Sequence, residues 1–314
     1  MAGEHDFIAA LRALATHPAA RGLADDTAVL EVGGTRLVLT HDMLVEGVHF
    51  LPEDPPADVA WKLLAVNLSD LAAKGARSVG VLMGYTLSEA EWDRAFADGL
   101  GDALSAFGVP LLGGDTVSAP AGAPRTFGLT AIGEAAGPAP SRSGAAPGDE
   151  LWVSGTIGDA GAGLRILRRR LTGPPELVER YRRPNPRLDA GQGLAPLVSA
   201  MMDVSDGLLI DASRMAQASG AAIAVDLGLV PLSPGFIEAL GDGREARLGA
   251  ATAGDDYELL FTAPATRSAE ILALSDELGL PLTRIGAVEP GAELRLSHGD
   301  TPLELPARLG WEHG

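Results

Sequence analysis

The chain has 314 residues, 46% of them hydrophobic, which is enough to bury a sizeable core in one or two domains and excludes a disordered chain. Its formal net charge of −18 opposes contact with a phosphate backbone, so we expect no nucleic acid partner. It has no cysteine, which excludes disulfides, thiolate metal sites and cysteine nucleophiles. No apolar run reaches the length of a membrane span and the start lacks a basic signal segment, so we expect a cytoplasmic protein without a membrane partner.

The first predicted strands form a hairpin that ends in acidic residues. An apolar strand follows Asp26, and Gly33-Gly34 is typical of a tight turn into a second strand, LVLT, which runs directly into Asp42. A favourable register would bring Asp26 and Asp42 together. A carboxylate at the end of a buried strand is held rigidly, as catalytic and metal-binding acids often are, although a turn aspartate is the commoner reading.

Two helices follow the hairpin. Residues 57–74 have a helical pattern closed by Gly75, but Asn67, Ser69 and Asp70 interrupt the apolar sequence. Polar residues there are costly unless they bind something or face water. Residues 89–107 carry an apolar stripe at helical spacing, which we interpret as core.

Acidic residues recur beside predicted strands and glycines. A short apolar strand over 109–112 is followed by Gly113-Gly114-Asp115, which is either a ligand-approach loop or an ordinary turn. Asp203 ends a later strand, and Asp206 lies near the first turn of the next helix, with Ser205 between them. In all, six aspartates are candidates for a site: Asp26, Asp42, Asp70, Asp115, Asp203 and Asp206.

The segment 134–149 is rich in Ala, Gly, Pro and Ser and is the best candidate for a domain boundary. We therefore expect an N-terminal domain over residues 1–137 and a C-terminal domain over 138–314. Arg142 within the boundary is either a phosphate clamp or a solvated linker arginine.

The composition of the site favours magnesium. Hard carboxylate oxygens without histidine or cysteine pairs select Mg²⁺ or Ca²⁺ over zinc. The chain has only two lysines, Lys62 and Lys74, and no Walker loop, so it could bind ATP through several Mg²⁺ ions instead. The plainer alternative is an acidic surface with turn aspartates that keeps the protein soluble.

Seven motifs carry a resemblance to a known family. They span nearly the whole chain: THDMLVEGVHF, NLSDLAAKGA, LLGGDTV, SRSGAAPGDELWVSGTIGDAGAGL, RRPNPR, MDVSDGL and GDDYELLF. In this order they resemble the thiamine-monophosphate kinase family, within the aminoimidazole-ribotide-synthetase-like superfamily. Selenophosphate synthetases and the hydrogenase-maturation enzymes of that superfamily use cysteine or selenocysteine chemistry, which this chain cannot.

The resemblance implies the fold and the reaction. It implies an α/β (α+β) chain of two domains, in which the N-terminal domain forms a dimeric β-barrel with flanking helices and the C-terminal domain an α+β sandwich. It implies a homodimer with ATP near the interface. It also implies Mg²⁺-assisted, direct in-line phosphorylation of thiamine monophosphate by ATP to give thiamine diphosphate, without a general base.

The resemblance also implies the roles of individual residues. The predicted metal ligands are Asp26, Thr40, His41, Asp42, Asp70, Asp115, Asp203 and Asp206. The predicted ATP contacts are Gly114, Asp115, Arg142 and Ser205. The predicted thiamine phosphate contacts are His49, Asp255 and Trp311.

Several positions depart from the family pattern or allow two interpretations. The usual GEDYEL is GDDYEL here, so Asp255 is one methylene shorter; Lys74 stands where methionine is usual, and His41 where Ser or Thr is common. Trp311 either stacks on the thiazolium cation or packs on the core. His49 is either a phosphate ligand or an edge-strand residue.

Other functions stay open at this point. They are a related kinase with a different acceptor, a non-catalytic binding protein for a nucleotide or thiamine phosphate, and an acidic scaffold.

Overall fold

The computed structural model describes residues 4–312, with side chains from residue 6 onward. The helices are α1 Glu4–Arg12, α2 Pro56–Ala73, α3 Ala90–Phe107, α4 Asp159–Leu167, α5 Pro175–Arg182, α6 Leu188–Leu194, α7 Leu208–Ser219, α8 Pro234–Leu240, α9 Arg244–Ala251 and α10 Ser268–Leu278, with 3₁₀ turns at Pro18–Leu23 and Ala265–Arg267. The strands are β1 Ala28–Val32, β2 Thr35–Val45, β3 Arg77–Leu87, β4 Leu111–Ser118, β5 Thr126–Ala135, β6 Asp149–Ser154, β7 Ala200–Asp203, β8 Ala222–Asp226, β9 Leu259–Pro264, β10 Leu282–Glu289, β11 Leu294–His298 and β12 Thr301–Leu303.

The N-terminal sheet has the strand order β1-β2-β5-β3-β4, antiparallel except between β3 and β4. The predicted hairpin is confirmed: β1 and β2 pair in antiparallel register, and Gly33 and Gly34 at the turn both have positive φ, as a tight hairpin turn requires. One face of the sheet packs on α2 and α3, and the aromatic stripe predicted for α3 lies in that core.

Helix α2 is the central element of the fold. It is buried along most of its length, between the N-terminal sheet on one side and α6 and β7 on the other. It begins at Pro56, whose fixed φ suits the first helical position, and Gly75 follows its end with φ +60°. A side chain at Gly75 would meet Ala195, so this glycine also permits close packing of the two halves of the chain.

The C-terminal sheet has the strand order β12-β11-β8-β10-β6-β9-β7. Its central strands are buried on both faces, so their sequences are continuously apolar instead of alternating. In β9, for example, Leu260 belongs to the core under α7, whereas Phe261 stacks with Trp152 in the core shared with α6 and α10. The chain is therefore a mixed α/β protein with two sheets.

One expectation differs from the structure, and a second is not confirmed by a single chain. The segment Gly113-Gly114-Asp115, expected to follow a strand, lies inside β4. β4 pairs with β3 so closely that a side chain at Gly114 would overlap the Met83 carbonyl oxygen. Within residues 4–312 of a single chain, β1 and β4 are free edges of an open sheet, which is not a closed barrel.

Candidate metal and phosphate site

Three buried carboxylates from three separate elements meet between the two sheets. Asp70 lies on α2, Asp203 ends β7 and Asp26 precedes β1, and one oxygen of each lies within 4.8 Å of the others. Asp203 ends its strand, as the sequence predicted, and the strand aims its carboxylate at the helix. The three carboxylates meet because α2 lies between the hairpin and the C-terminal sheet and contacts both.

The polar residues that interrupt α2 serve this cluster. The Thr40 hydroxyl donates to Asp70, and the Ser69 hydroxyl donates to Asp203 at 2.6 Å. The side-chain oxygen of Asn67 accepts a hydrogen bond from the backbone N–H of Asp42 at 2.9 Å. The hydroxyl and amide groups therefore fix the carboxylates and the adjoining strand, and Thr40 acts here as a partner of Asp70.

Two cations of the chain flank the cluster. The Lys74 ammonium donates to Asp25 Oδ1 and Asp26 Oδ2, both at 2.6 Å, and Arg142 donates to the other oxygen of Asp26. Arg21 holds the second oxygen of Asp25 at 2.5 Å. Arg142 is thus not a solvated linker arginine, because its guanidinium lies against the acidic cluster.

The pKa values report a site with more negative charge than its cations neutralise. Burial, with the charges of the neighbouring aspartates, raises the pKa of Asp70 and Asp203 well above the usual value. Burial and the charges of Asp26 and Asp206 raise the pKa of Asp42 to about 6. Although burial opposes it, the charges of Lys74 and Arg142 lower the pKa of Asp26. A divalent cation would relieve this repulsion.

The donor set fits magnesium. It consists of carboxylate and hydroxyl oxygens, with no imidazole among the converging groups that the structure describes. Hard oxygen ligands suit Mg²⁺ or Mn²⁺, and raised carboxylate pKa values are what an acidic metal site has before it binds its ion.

Asp206 lies in the loop that leads into α7. Arg214 on α7 donates to the Asp206 carboxylate at 2.6 Å and to the Asp211 carboxylate at 2.8 Å. Asp211 also accepts hydrogen bonds from the backbone N–H groups of Asp206 and Gly207. Burial raises the pKa of Asp211 to about 7. Asp211 and Arg214 were not predicted; the signal was a buried acid in the first helical turn, followed three residues later by an arginine.

The cluster opens into a cleft of about 670 Å³ between the two halves of the chain. Eight of the predicted site residues line it: Asp26, Asp42, His49, Asp70, Arg142, Asp203, Ser205 and Asp206. Arg12 of α1 and Arg214 of α7 line it as well. The cleft thus combines a carboxylate floor with arginines on its walls, an arrangement suited to phosphates that arrive with metal ions.

At one side of the cleft, His49 adjoins an ion pair that holds Asp255. Lys62, buried on α2, reaches Asp255 at 3.1 Å and donates to the His49 carbonyl oxygen at 2.9 Å, while its ammonium lies 4.0 Å from the centre of the Tyr181 ring. The His49 ring nitrogen Nδ1 accepts from the Val45 N–H at 3.0 Å. His49 is therefore in a tight turn after β2, beside Asp255, and is not an edge-strand residue.

The loop of Asp255 is held in an uncommon backbone conformation. Asp255 and Tyr257 both have positive φ, at 71° and 51°, which non-glycine residues rarely adopt. Asp256 accepts hydrogen bonds from the N–H groups of Gly158 and Ala160, and Glu258 is paired with arginines of the segment 180–187. These buried contacts fix a strained loop at the edge of the cleft.

Trp311 lies beside the loop that carries Asp206. Its backbone N–H donates to the Asp206 carbonyl oxygen at 2.9 Å, and its side chain is 50% exposed. Half exposure does not fit a residue packed into the core. The indole is therefore half exposed beside Asp206.

Three predicted residues lie away from the cleft within one chain. His41 is on the open face of the N-terminal sheet, where its Nδ1 lies 2.9 Å from the Thr130 hydroxyl, because residues alternate along β2 and Thr40 and Asp42 take the other face. Gly114 and Asp115 are on the edge strand β4. The pairing places β5 and β3 between β2 and β4, so Asp115 lies about 14 Å, three strand spacings, from β2.

Known proteins resemble the whole chain. Residues 24–135 match the family described as AIR synthase related protein, N-terminal domain, and residues 146–299 match its C-terminal domain. The thiamine-monophosphate kinase of Salmonella typhimurium is 40% identical over 280 residues, which are 87% of this chain and 85% of that protein.

Solved structures agree. AaThiL complexed with AMPPCP and TMP has a TM-score of 0.85 and 31% identity, covering 98% of this chain and 96% of that one. The thiamine-monophosphate kinase of Stenotrophomonas maltophilia has a TM-score of 0.78 and 40% identity, covering 93% and 94%. A chain this similar over both AIR synthase domains belongs to the thiamine-monophosphate kinase family.

Proposed function

We propose that the chain transfers the γ-phosphoryl group of ATP to thiamine monophosphate and so forms thiamine diphosphate, as a step of thiamine diphosphate biosynthesis. The observation that carries the proposal is the cluster of Asp26, Asp70 and Asp203 at the floor of a cleft with arginines on its walls, in a member of this family. Such a cluster is what a kinase without a Walker lysine needs in order to hold a metal–nucleotide complex.

Within this proposal, the aspartates would hold several Mg²⁺ ions. Asp26, Asp70 and Asp203 form the central set, and Asp42 and Asp206, which line the same cleft, complete it. Bound Mg²⁺ supplies neutralisation of the phosphate charge that develops during transfer. Arg142 and Ser205 contact the phosphates of ATP from the wall of the cleft.

The residues of the chain do the work of positioning. The accepting phosphate is already anionic near neutral pH, so no side chain has to remove a proton, and alignment of donor and acceptor suffices. Hydrogen bonds from Thr40 and Ser69 keep the carboxylates in fixed orientations before the substrates arrive. The strained loop at Asp255 and the ion pair with Lys62 keep the acceptor side equally rigid.

The thiamine end of the acceptor is recognised by His49, Asp255 and Trp311. His49 lines the cleft beside Asp255, and the backbone N–H groups of Asp255 and Trp311 donate to the carbonyl oxygens of the consecutive residues Ser205 and Asp206. An exposed tryptophan can stack on the permanently cationic thiazolium ring, and Asp255 offers a carboxylate to the same cation.

We further propose that the chain works as a cytoplasmic homodimer, built through the open face of the N-terminal sheet. That face carries exposed apolar side chains at Met43, Leu82, Leu112 and Val117, and β4 is exposed along its whole length. A second copy would cover this face and extend the sheet toward the barrel implied by the resemblance. His41, Gly114 and Asp115 would then bind metal or ATP at the interface.

The domain limits belong to the same proposal. An N-terminal dimerising domain over 1–137 and a C-terminal domain over 138–314 would meet at the cleft, with the irregular segment between β5 and β6 as the hinge of the chain. None of the helices of residues 4–312 has the length and apolar character of a membrane span.

The decisive test is product formation from ATP and thiamine monophosphate, first with Mg²⁺ and then with excess chelator. Metal-dependent thiamine diphosphate, absent from an Asp70→Asn variant, is the expected result. ADP release that requires a different acceptor would assign the chain to another reaction of the same type. Ligand-induced stabilisation without ADP would make it a binding protein and overturn the proposal.

A further inference from the structure

Lys74 is an uncommon residue for the place it occupies. It is 0% exposed at the end of α2, and its ammonium donates to Asp25, to Asp26 and, at 3.3 Å, to the Met201 carbonyl oxygen. A buried lysine with three acceptors is fully satisfied and held in one position. Nothing in the phosphoryl transfer proposed above requires it.

The contacts of Lys74 tie it to the metal ligands. Asp26 has two oxygens: Lys74 takes Oδ2 and Arg142 takes Oδ1. The same Asp26 shares the triad with Asp70 and Asp203. A divalent ion that uses Asp26 must therefore share its carboxylate with a cation of the protein that is already there.

We propose that Lys74 is a positioning residue which acts as a resident cation of the acidic cluster: it holds Asp25 and Asp26 in place before metal binds, and it weakens the binding of divalent ions through charge repulsion. This inference rests on the metal role proposed above for Asp26, Asp70 and Asp203. Lys74 therefore lowers the affinity of the cluster for metal ions while it fixes the carboxylates before an ion binds.

The size of the effect follows from Coulomb's law. Even at the dielectric constant of water, a unit charge about 5 Å from a divalent ion weakens its binding about tenfold, and the effect is larger in a buried site. Replacing Lys74 by a neutral residue should therefore tighten metal binding. A lysine with only a structural role would have the opposite effect, since its loss would loosen the ligands.

The test measures binding of Mn²⁺, which suits the same oxygen ligands, by the loss of the free-ion EPR signal in nucleotide-free protein. Lys74→Met and Lys74→Gln are expected to lower the Kd for Mn²⁺ about tenfold or more, the glutamine variant keeping a hydrogen-bond donor in case the methionine variant folds poorly. Lys62→Met is the matched control, because it removes the other buried lysine of α2, which pairs with Asp255 and not with the triad. Its Kd should stay within about twofold of the parent, as expected for a site that it does not touch.

An unchanged or raised Kd in both Lys74 variants would overturn the proposal. A Kd for Mn²⁺ in Asp70→Asn/Lys74→Met as low as that of Lys74→Met would also overturn it, since the ion would then bind elsewhere. Because no product is measured, the result is separate from the kinase assay: a chain that makes no thiamine diphosphate but binds Mn²⁺ more tightly without Lys74 would overturn the proposed function and support this inference.

Discussion

Replacing Asp42 with asparagine should stabilise the metal-free protein while removing a metal ligand. Asp42 is at the end of the buried part of β2, beside the acidic cluster, and its pKa is raised to about 6 from 3.8 by burial first and then by Asp26 and Asp206. Its folded form therefore holds a proton more tightly than the unfolded chain does. Asparagine removes the charge with almost no change in shape.

The magnitude follows from the pKa difference. A shift from 3.8 to about 6 makes the ionised Asp42 cost about 3 kcal/mol of folding free energy at pH 8, at 1.36 kcal/mol per pKa unit. The folded protein therefore loses stability as pH rises from about 4 to about 6, and the cost of ionising Asp42 is nearly absent at pH 4. The gain in the variant corresponds to roughly 6–12 °C in Tm at pH 8.

The assay is thermal unfolding in chelator at pH 4 and pH 8, for the parent, Asp42→Asn and Asp98→Asn. Asp98 is exposed on α3, so its variant loses the same charge where little change is expected. Excess Mg²⁺ should reverse the order at pH 8, because only the parent keeps the ligand. A variant no more stable than the parent at pH 8 in chelator would refute the reasoning that charge crowding destabilises this cluster.

Three further predictions test other parts of the molecule. Glu258→Gln should lower the free energy of unfolding by about 3–5 kcal/mol in urea titrations, because it leaves Arg187 without its carboxylate partner and Arg180 with only the longer pair to Asp159 at 3.9 Å, whereas Glu270→Gln in an exposed pair should change it by less than about 1 kcal/mol. Trp311→Ala should raise KM for thiamine monophosphate roughly 2- to 30-fold, and an unchanged KM would remove the indole from the pocket. Leu82→Glu should convert the dimer to a monomer in light scattering, whereas Leu229→Glu, exposed on the other domain, should not; a parent that is itself a monomer would contradict the proposed interface.

The cluster itself could be predicted from the sequence because its members share a local signal. Asp203 ends an apolar strand and Asp70 interrupts an apolar helix, and such positions are costly unless the acid has a partner. The hairpin turn at Gly33-Gly34 then fixes the register that brings Asp26 toward the same place. Local patterns were sufficient here because each of these acids lies on, or directly beside, a rigid helix or strand.

Other residues of the site depend on contacts that local patterns do not encode. Lys74 contacts Asp26 across 48 positions of the chain, so its place at the end of an apolar helix does not reveal its partner. Asp115 and His41 were grouped with the metal ligands by resemblance, but the period-two alternation of β2 and the place of β4 at the edge take both away from the cleft of their own chain. Their predicted roles require a second copy, which one sequence cannot supply.

The charges of the site show how one fold can keep five acids close together without metal. Asp26 is held ionised by Lys74 and Arg142, which lower its pKa, while Asp42, Asp70 and Asp203 have raised pKa values and share the remaining repulsion. Asp206 is joined by Arg214 to Asp211, and its charge adds to the repulsion that raises the pKa of Asp42. Fixed cations on one side and protonation on the other thus maintain the geometry until divalent ions replace the protons. It follows that metal affinity should rise with pH across the range in which Asp42 ionises, around pH 6, and that metal binding should release protons there, which calorimetry in buffers of different ionisation enthalpy measures directly.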